Sequence, residues 1–182
     1  MRHSRESVIV RRPVQVELIP HGTVHELPPG TLAEITQALG SNFTLHVEGQ
    51  LVRLKGTDAD AIGKPVPAPA ATAAADGQPA DLPTRVREVL KTCYDPEIPV
   101  DIVELGLIYG CDITPADNGR SNVSIQLTLT APGCGMGDAL GNEVAEKVLA
   151  LDDVQEVTVD LVFDPPWDRS RMSEAALLSL GL

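Results

Sequence analysis

The sequence predicts an α+β fold: a C-terminal three-stranded sheet with packed helices, preceded by a small, mostly β module. Three observations carry this. Val123, Ile125, Leu127 and Leu129 alternate with Ser124, Gln126, Thr128 and Thr130, the pattern of a strand with one wet face. Val86, Val89, Leu90 and Cys93 recur at helical spacing, as do Leu140, Val144, Val148 and Leu151. Between the two halves, residues 65–80 are rich in proline, alanine and glycine without periodicity, the composition of a linker. Prolines 65, 67, 69 and 79 argue against the competing reading, an alanine-rich helix. The organisation that follows is a module over 1–63, a linker over 64–81 and a domain over 82–182.

In chain order, residues 8–20 alternate in part and read as one strand closed by Pro20-His21-Gly22. Residues 32–39 read as a short helix, with Thr31 as N-cap, Glu34 three residues on and Gly40 as the stop. Phe43, Leu45 and Val47, the turn Glu48-Gly49-Gln50 and then residues 51–54 give a hairpin. Residues 83–94 form an amphipathic helix with Pro83 in its first turn, ended by Pro96. The spacing makes Cys93 a core residue. Residues 100–105 give one helical turn stopped by Gly106. Residues 107–113 form a strand with Leu107, Tyr109 and Cys111 on one face, and Cys111 is read as packed rather than as a ligand. This strand and the alternating run 123–130 make an antiparallel hairpin. A helix over 138–151 follows, then a third strand through Val157, Val159, Leu161 and Phe163. The last element is a short helix over 173–180, with Ser173 at its cap and Gly181 beyond its end.

Composition narrows the function. The net charge is −12, and residues 82–182 carry 7 Lys+Arg against 17 Asp+Glu, so −10 of it lies there. Phosphate backbones demand a basic surface, so nucleic-acid binding is not expected. An acidic surface suits solubility and basic protein partners. No apolar run approaches the roughly 18 residues that a membrane span needs, and residues 1–12 lack the apolar block of a signal peptide. A soluble, cytoplasmic protein is expected. The three cysteines, Cys93, Cys111 and Cys134, form no Cys-x-x-Cys pair. The odd number, with no secretory signal, argues against a disulfide framework, and a four-cysteine metal site within one chain is excluded on count.

The stretch Thr128-Leu129-Thr130-Ala131-Pro132-Gly133-Cys134-Gly135-Met136-Gly137-Asp138 organises the rest. A strand stops and a glycine-flanked cysteine follows at, or just before, a helix N-terminus. That position favours the thiolate, through the partial positive charge and free N–H groups of the helix end. A thiolate in that position is a nucleophile and a soft metal ligand. The plain alternative is a strand-to-helix turn with a small residue in it.

Three blocks together resemble the SufT and PaaD-like iron–sulfur assembly proteins. They are Asp95-Pro96-Glu97-Ile98-Pro99-Val100 with Glu104-Leu105-Gly106-Leu107-Ile108-Tyr109, then Leu127 to Cys134, then Val157 to Trp167 closing on Asp164-Pro165-Pro166-Trp167. The run Asp-Arg-Ser-Arg-Met-Ser after Trp167 and the N-terminal extension resemble SufT in particular. The resemblance covers residues 82–182 and implies an accessory role in iron–sulfur protein maturation rather than turnover as an enzyme. It implies transient carriage of a cluster or of iron, with no tightly bound cofactor. The implied partners are scaffold or carrier proteins and client apoproteins, with a homodimer as a way to share ligands.

The resemblance maps the reactive cysteine to Cys134, the acidic block to Asp95 and Glu97, and the pre-cysteine threonine to Thr130. Asp95 and Glu97 then offer hard oxygen ligands or accept N–H groups, and Thr130 offers a hydrogen bond to the sulfur. Trp167, the only tryptophan, shields the site or anchors a client. Plain alternatives stand beside these: a proline turn, strand propensity, a structural lid. Two rival functions remain, a thiol enzyme with Cys134 as nucleophile and a non-catalytic interaction module. All four histidines, His3, His21, His25 and His46, lie in the N-terminal module, which weighs against a Cys–His enzyme.

Overall fold

The computed structural model describes residues 6–66, 80–95, 98–117, 119–131 and 136–182. The linker residues 67–79, Glu97 and Cys134 lie outside the described residues. The chain divides into two compact units. The architecture is mixed α+β, as expected: one sheet of six strands, one of three, and helices.

The N-terminal unit is an antiparallel sheet built from β1 (Glu6–Ile9), β2 (Val14–Ile19), β3 (Val24–Leu27), β4 (Leu32–Leu39), β5 (Asn42–Val47) and β6 (Gln50–Lys55). Their spatial order is β1-β4-β5-β6-β2-β3. Val8, Val10, Val14, Val16, Ile35, Leu45, Val52 and Leu54 line its apolar interior. The strand read over 8–20 is two strands, because Pro13 has no N–H to continue a ladder.

The helix read over 32–39 is a correction: the segment is β4. Ala33 and Ile35 are buried while Leu32 is exposed, a period of two. β1 pairs with one side of this strand and β5 with the other. Thr31 Oγ1 donates to the Pro28 carbonyl at 2.7 Å instead of capping a helix. Gly40, at φ 62°, turns a hairpin rather than ending a helix. The local capping signal lost to two flanking ladders. The hairpin at 48–49 formed as expected, with Glu48 at φ 49° and Gly49 at φ 86°. The helical turn of this unit is a 3-10 segment, Gly56–Ile62. The Arg12 guanidinium bonds Asp58 at 2.8 Å and Asp60 at 2.7 Å on it.

The C-terminal unit contains α1 (Leu82–Leu90), β7 (Ile108–Pro115), β8 (Ser121–Leu127), α2 (Met136–Leu149), β9 (Val154–Leu161) and α3 (Glu174–Leu180). β8 is central, antiparallel to β7 and parallel to β9. Parallel neighbours cannot be joined by a hairpin, and α2 is the crossover. Val86, Val89, Leu90 and Cys93 are buried, as are Leu140, Val144, Val148 and Leu151, as their spacing requires. Asp81 caps α1 by accepting from Thr84 N at 3.2 Å. Lys147 of α2 donates to the Thr92 carbonyl at 2.8 Å, placing a cation at the C-terminal end of α1. Ser173 caps α3 and Gly181 ends it at φ 74°.

Cys111 is a second correction: it is exposed, not packed. β7 is an edge strand, and its register against β8 shifts between Ile108 and Gly110. The bulge breaks the simple alternation, and nothing pairs with the outer side of β7 among the described residues. Partial desolvation where the side chain lies against the sheet, with the neighbouring Asp112, pushes the Cys111 thiol up.

Gly106 stands at φ 70°, and a Cβ there would run into the Arg171 carbonyl. Backbone cannot yield as a flexible side chain does. Gly106→Ala is expected to destabilise the protein by about 2 kcal/mol or more, read as a lowered urea midpoint. An unchanged midpoint would contradict the close approach.

Candidate functional site

The site is built at one end of the three-stranded sheet, from three segments. The first is the turn between α1 and β7. Ile102 N donates to the Cys93 carbonyl at 2.9 Å and Asp95 N to the Val100 carbonyl at 3.4 Å, closing the turn on itself. Asp101 Oδ1 accepts from the N–H groups of Val103 and Glu104, both at 3.0 Å, and so caps the single helical turn that Gly106 ends. Asp95 is 7% exposed, so this turn holds a carboxylate away from water.

The second segment is the end of β8. Thr128 N donates to the Leu107 carbonyl at 2.8 Å. Leu129 turns toward α2: a Cβ on Gly137 would lie 2.8 Å from its Cδ1 and 3.1 Å from Leu161 Cδ1. Glycine at 137 therefore lets the first turn of α2 lie close on the ends of β8 and β9. Thr130 follows, half-buried. Cys134 belongs to the stretch between Ala131 and α2, outside the described residues.

The third segment, residues 164–173, comes off β9. Tyr109 OH donates to the Pro165 carbonyl at 2.9 Å, and Trp167 Nε1 donates to the Leu105 carbonyl at 2.9 Å. The Arg171 guanidinium lies 4.2 Å from the centre of the Tyr109 ring. Ser173 N donates to the Glu104 carbonyl at 2.9 Å, and Ser173 Oγ bonds the Glu104 carboxylate.

Three of the candidate residues thus sit on segments joined through residues 104–107. Trp167 is tied to the turn that carries Asp95, and Thr130 lies two residues after the amide that bonds Leu107. Among the described residues, no cluster of three or more His, Cys, Asp or Glu is placed to hold a metal ion. Asp101 is not a candidate from the sequence, and Tyr109 enters there only as a strand and motif residue. The spacing Asp101-x-x-Glu104 is a capping signal that points to the first. A contact between residues 56 positions apart, such as Tyr109 to Pro165, has no local signal.

The comparisons with known proteins concern this unit. The family model described as iron–sulfur cluster assembly protein matches residues 83–160. An Fe-S protein maturation auxiliary factor of Porphyromonas gingivalis is 43% identical over 93 residues, covering 51% of this chain and 85% of that protein. The chain belongs to the iron–sulfur protein maturation auxiliary factor family. Two further members of that family align similarly. The auxiliary factor YitW of Bacillus subtilis is 35% identical over 56% of this chain and 95% of its own length. The auxiliary factor SufT of Staphylococcus aureus is 36% identical over 48% of this chain and 96% of its own length. The family model leaves residues 1–82 unmatched. No helix among the described residues is long and apolar enough to cross a membrane.

Burial pushes the Asp101 carboxyl up, against the pull of the two N–H groups it accepts, and Glu104 adds to the rise. Its folded form therefore binds a proton more readily than the unfolded chain. The stability it contributes is full below the ordinary aspartate range and falls as pH rises through the folded value. Asp101→Asn keeps the Oδ1 acceptor and removes the charge. The stability of the variant relative to wild type should therefore rise between pH 4 and pH 7, measured by urea unfolding at both. A difference constant with pH would contradict the assignment.

Proposed function

We propose that this protein is an accessory factor in iron–sulfur protein maturation that carries a cluster or iron briefly, through Cys134, to client apoproteins. The observation that carries the reading is family membership over the unit that contains Cys134. Two physical points support it. The cargo needs a soft sulfur ligand, and Cys134 is the cysteine that stands beside a helix start in sequence. The other two suit the role less: Cys93 is buried, and the Cys111 thiol is pushed up.

In this reading Asp95 and Glu97 supply oxygen ligands or hold N–H groups near the thiolate, and Thr130 donates to the sulfur. Trp167 shields the site. One sulfur binds weakly by itself, so the remaining ligands are shared with a partner, a second copy or a small thiol, and release is built in. The protein acts without turnover, as a cytoplasmic partner of scaffold proteins and clients. Residues 1–63 act as a separate module joined through the linker.

Iodoacetamide at pH 7 is expected to label Cys134 first, Cys111 slowly and Cys93 only after unfolding, read by peptide mass spectrometry. Labelling of Cys111 should gain on Cys134 as pH rises, because its thiol ionises later. Equal slow labelling of all three would remove the activated thiol. Cells carrying Cys134→Ser should lose activity of iron–sulfur client enzymes, while unchanged client activity would contradict the proposal.

A further inference from the structure

We infer that residues 164–173 form a releasable strap across the end of β8, held closed by Trp167 and opposed by a buried hydroxyl on Thr128. Topology requires the crossing. The sheet order is β7-β8-β9, and β9 ends at Leu161, level with Leu127 of β8. Four residues after that level, the Pro165 carbonyl is bonded to Tyr109 of β7. By Ser173 the chain is bonded, backbone to backbone, to Glu104 in the turn that leads into β7, so it passes the end of β8 on the way. It does not pass on the α2 side, where Leu129 and Leu161 meet the first turn of α2. On the other side, Ser124 is half-buried and Gln126 exposed, yet Thr128, next in the same row, is 0% exposed. The strap accounts for that abrupt change.

The closed strap is weakly held in one respect and strained in another. Residues 163–166 and 168–171 are exposed, and Met172 is the apolar residue of the strap that is buried. Its attachments include the bonds of Trp167 to Leu105, Tyr109 to Pro165 and Ser173, through amide and hydroxyl, to Glu104, with Arg171 over the Tyr109 ring, all to one turn and the start of β7. Segments with few buried apolar contacts and exposed hydrogen bonds open below the global unfolding free energy. Beneath the strap, Thr128 Oγ1 has no hydrogen-bond partner among the described residues. A buried hydroxyl without a partner opposes burial, and opening returns it to water. Release would also free the turn that carries Asp95 from its tie to Trp167.

Hydrogen exchange on the full chain tests this without any cargo, so its outcome is independent of the iron–sulfur reading. The Ser173 amide, bonded to the Glu104 carbonyl, reports closure; the Val162 amide, bonded to the Leu127 carbonyl at 2.9 Å, reports the sheet. Ser173 should exchange at least about a hundredfold faster than Val162. Thr128→Val keeps the shape and removes the hydroxyl, and should slow Ser173 exchange about tenfold. Trp167→Phe keeps a ring, removes the bond to Leu105, and should speed Ser173 exchange while leaving Val162 unchanged. Acrylamide quenching of Trp167, the single tryptophan, should fall in Thr128→Val. Exchange of Ser173 at the rate of Val162, or no response to Thr128→Val, would overturn the strap.

Discussion

The constraint on which the C-terminal unit depends is that β8 pairs antiparallel with β7 and parallel with β9. The parallel pair sends the chain away from β8 through α2 and back, so β8 and β9 finish at the same end of the sheet. The antiparallel pair starts β7 at that same end. Three chain segments therefore converge there: the turn that leads into β7, the stretch that leaves β8 for α2, and residues 164–173 leaving β9. Asp95, Thr130 and Trp167, three of the proposed site residues, lie on those segments.

Close packing at this end is managed by glycine and by backbone bonds rather than by a large apolar contact. Gly137 lets α2 come down on Leu129 and Leu161, and Gly106 makes room for the Arg171 carbonyl. Leu105, Leu107 and Ile102 are fully buried beneath the turn, while the bonds above it run to Leu105, Glu104 and Tyr109. The interior of the unit is thus fixed by apolar burial, and its working end is fixed by hydrogen bonds that water competes for.

Much of this unit was legible in the sequence, because α1, α2 and β8 bury one clean stripe or face each. The caps at Ser173 and Gly181 were legible for the same local reason. β4 was not, since a capping pattern at Thr31 and Glu34 resembles a helix start and the two ladders that override it come from β1 and β5. Cys111 was misread because a bulge and an edge position leave no mark on alternation. At the site, Asp95, Thr130 and Trp167 were found as motif members, yet their linkage through residues 104–107 depends on non-local contacts, Thr128 to Leu107 and Trp167 to Leu105, that leave no local signal.

The central claim is that one soft sulfur, Cys134, takes up cargo that the acidic residues alone do not hold. Anaerobic reconstitution of the full chain with ferrous iron and sulfide, followed by iron and sulfide analysis after desalting, tests it most directly. The account predicts iron in wild type at less than one cluster per chain, raised by an added small thiol, and loss of that iron in Cys134→Ser. Equal iron in wild type and Cys134→Ser would contradict it.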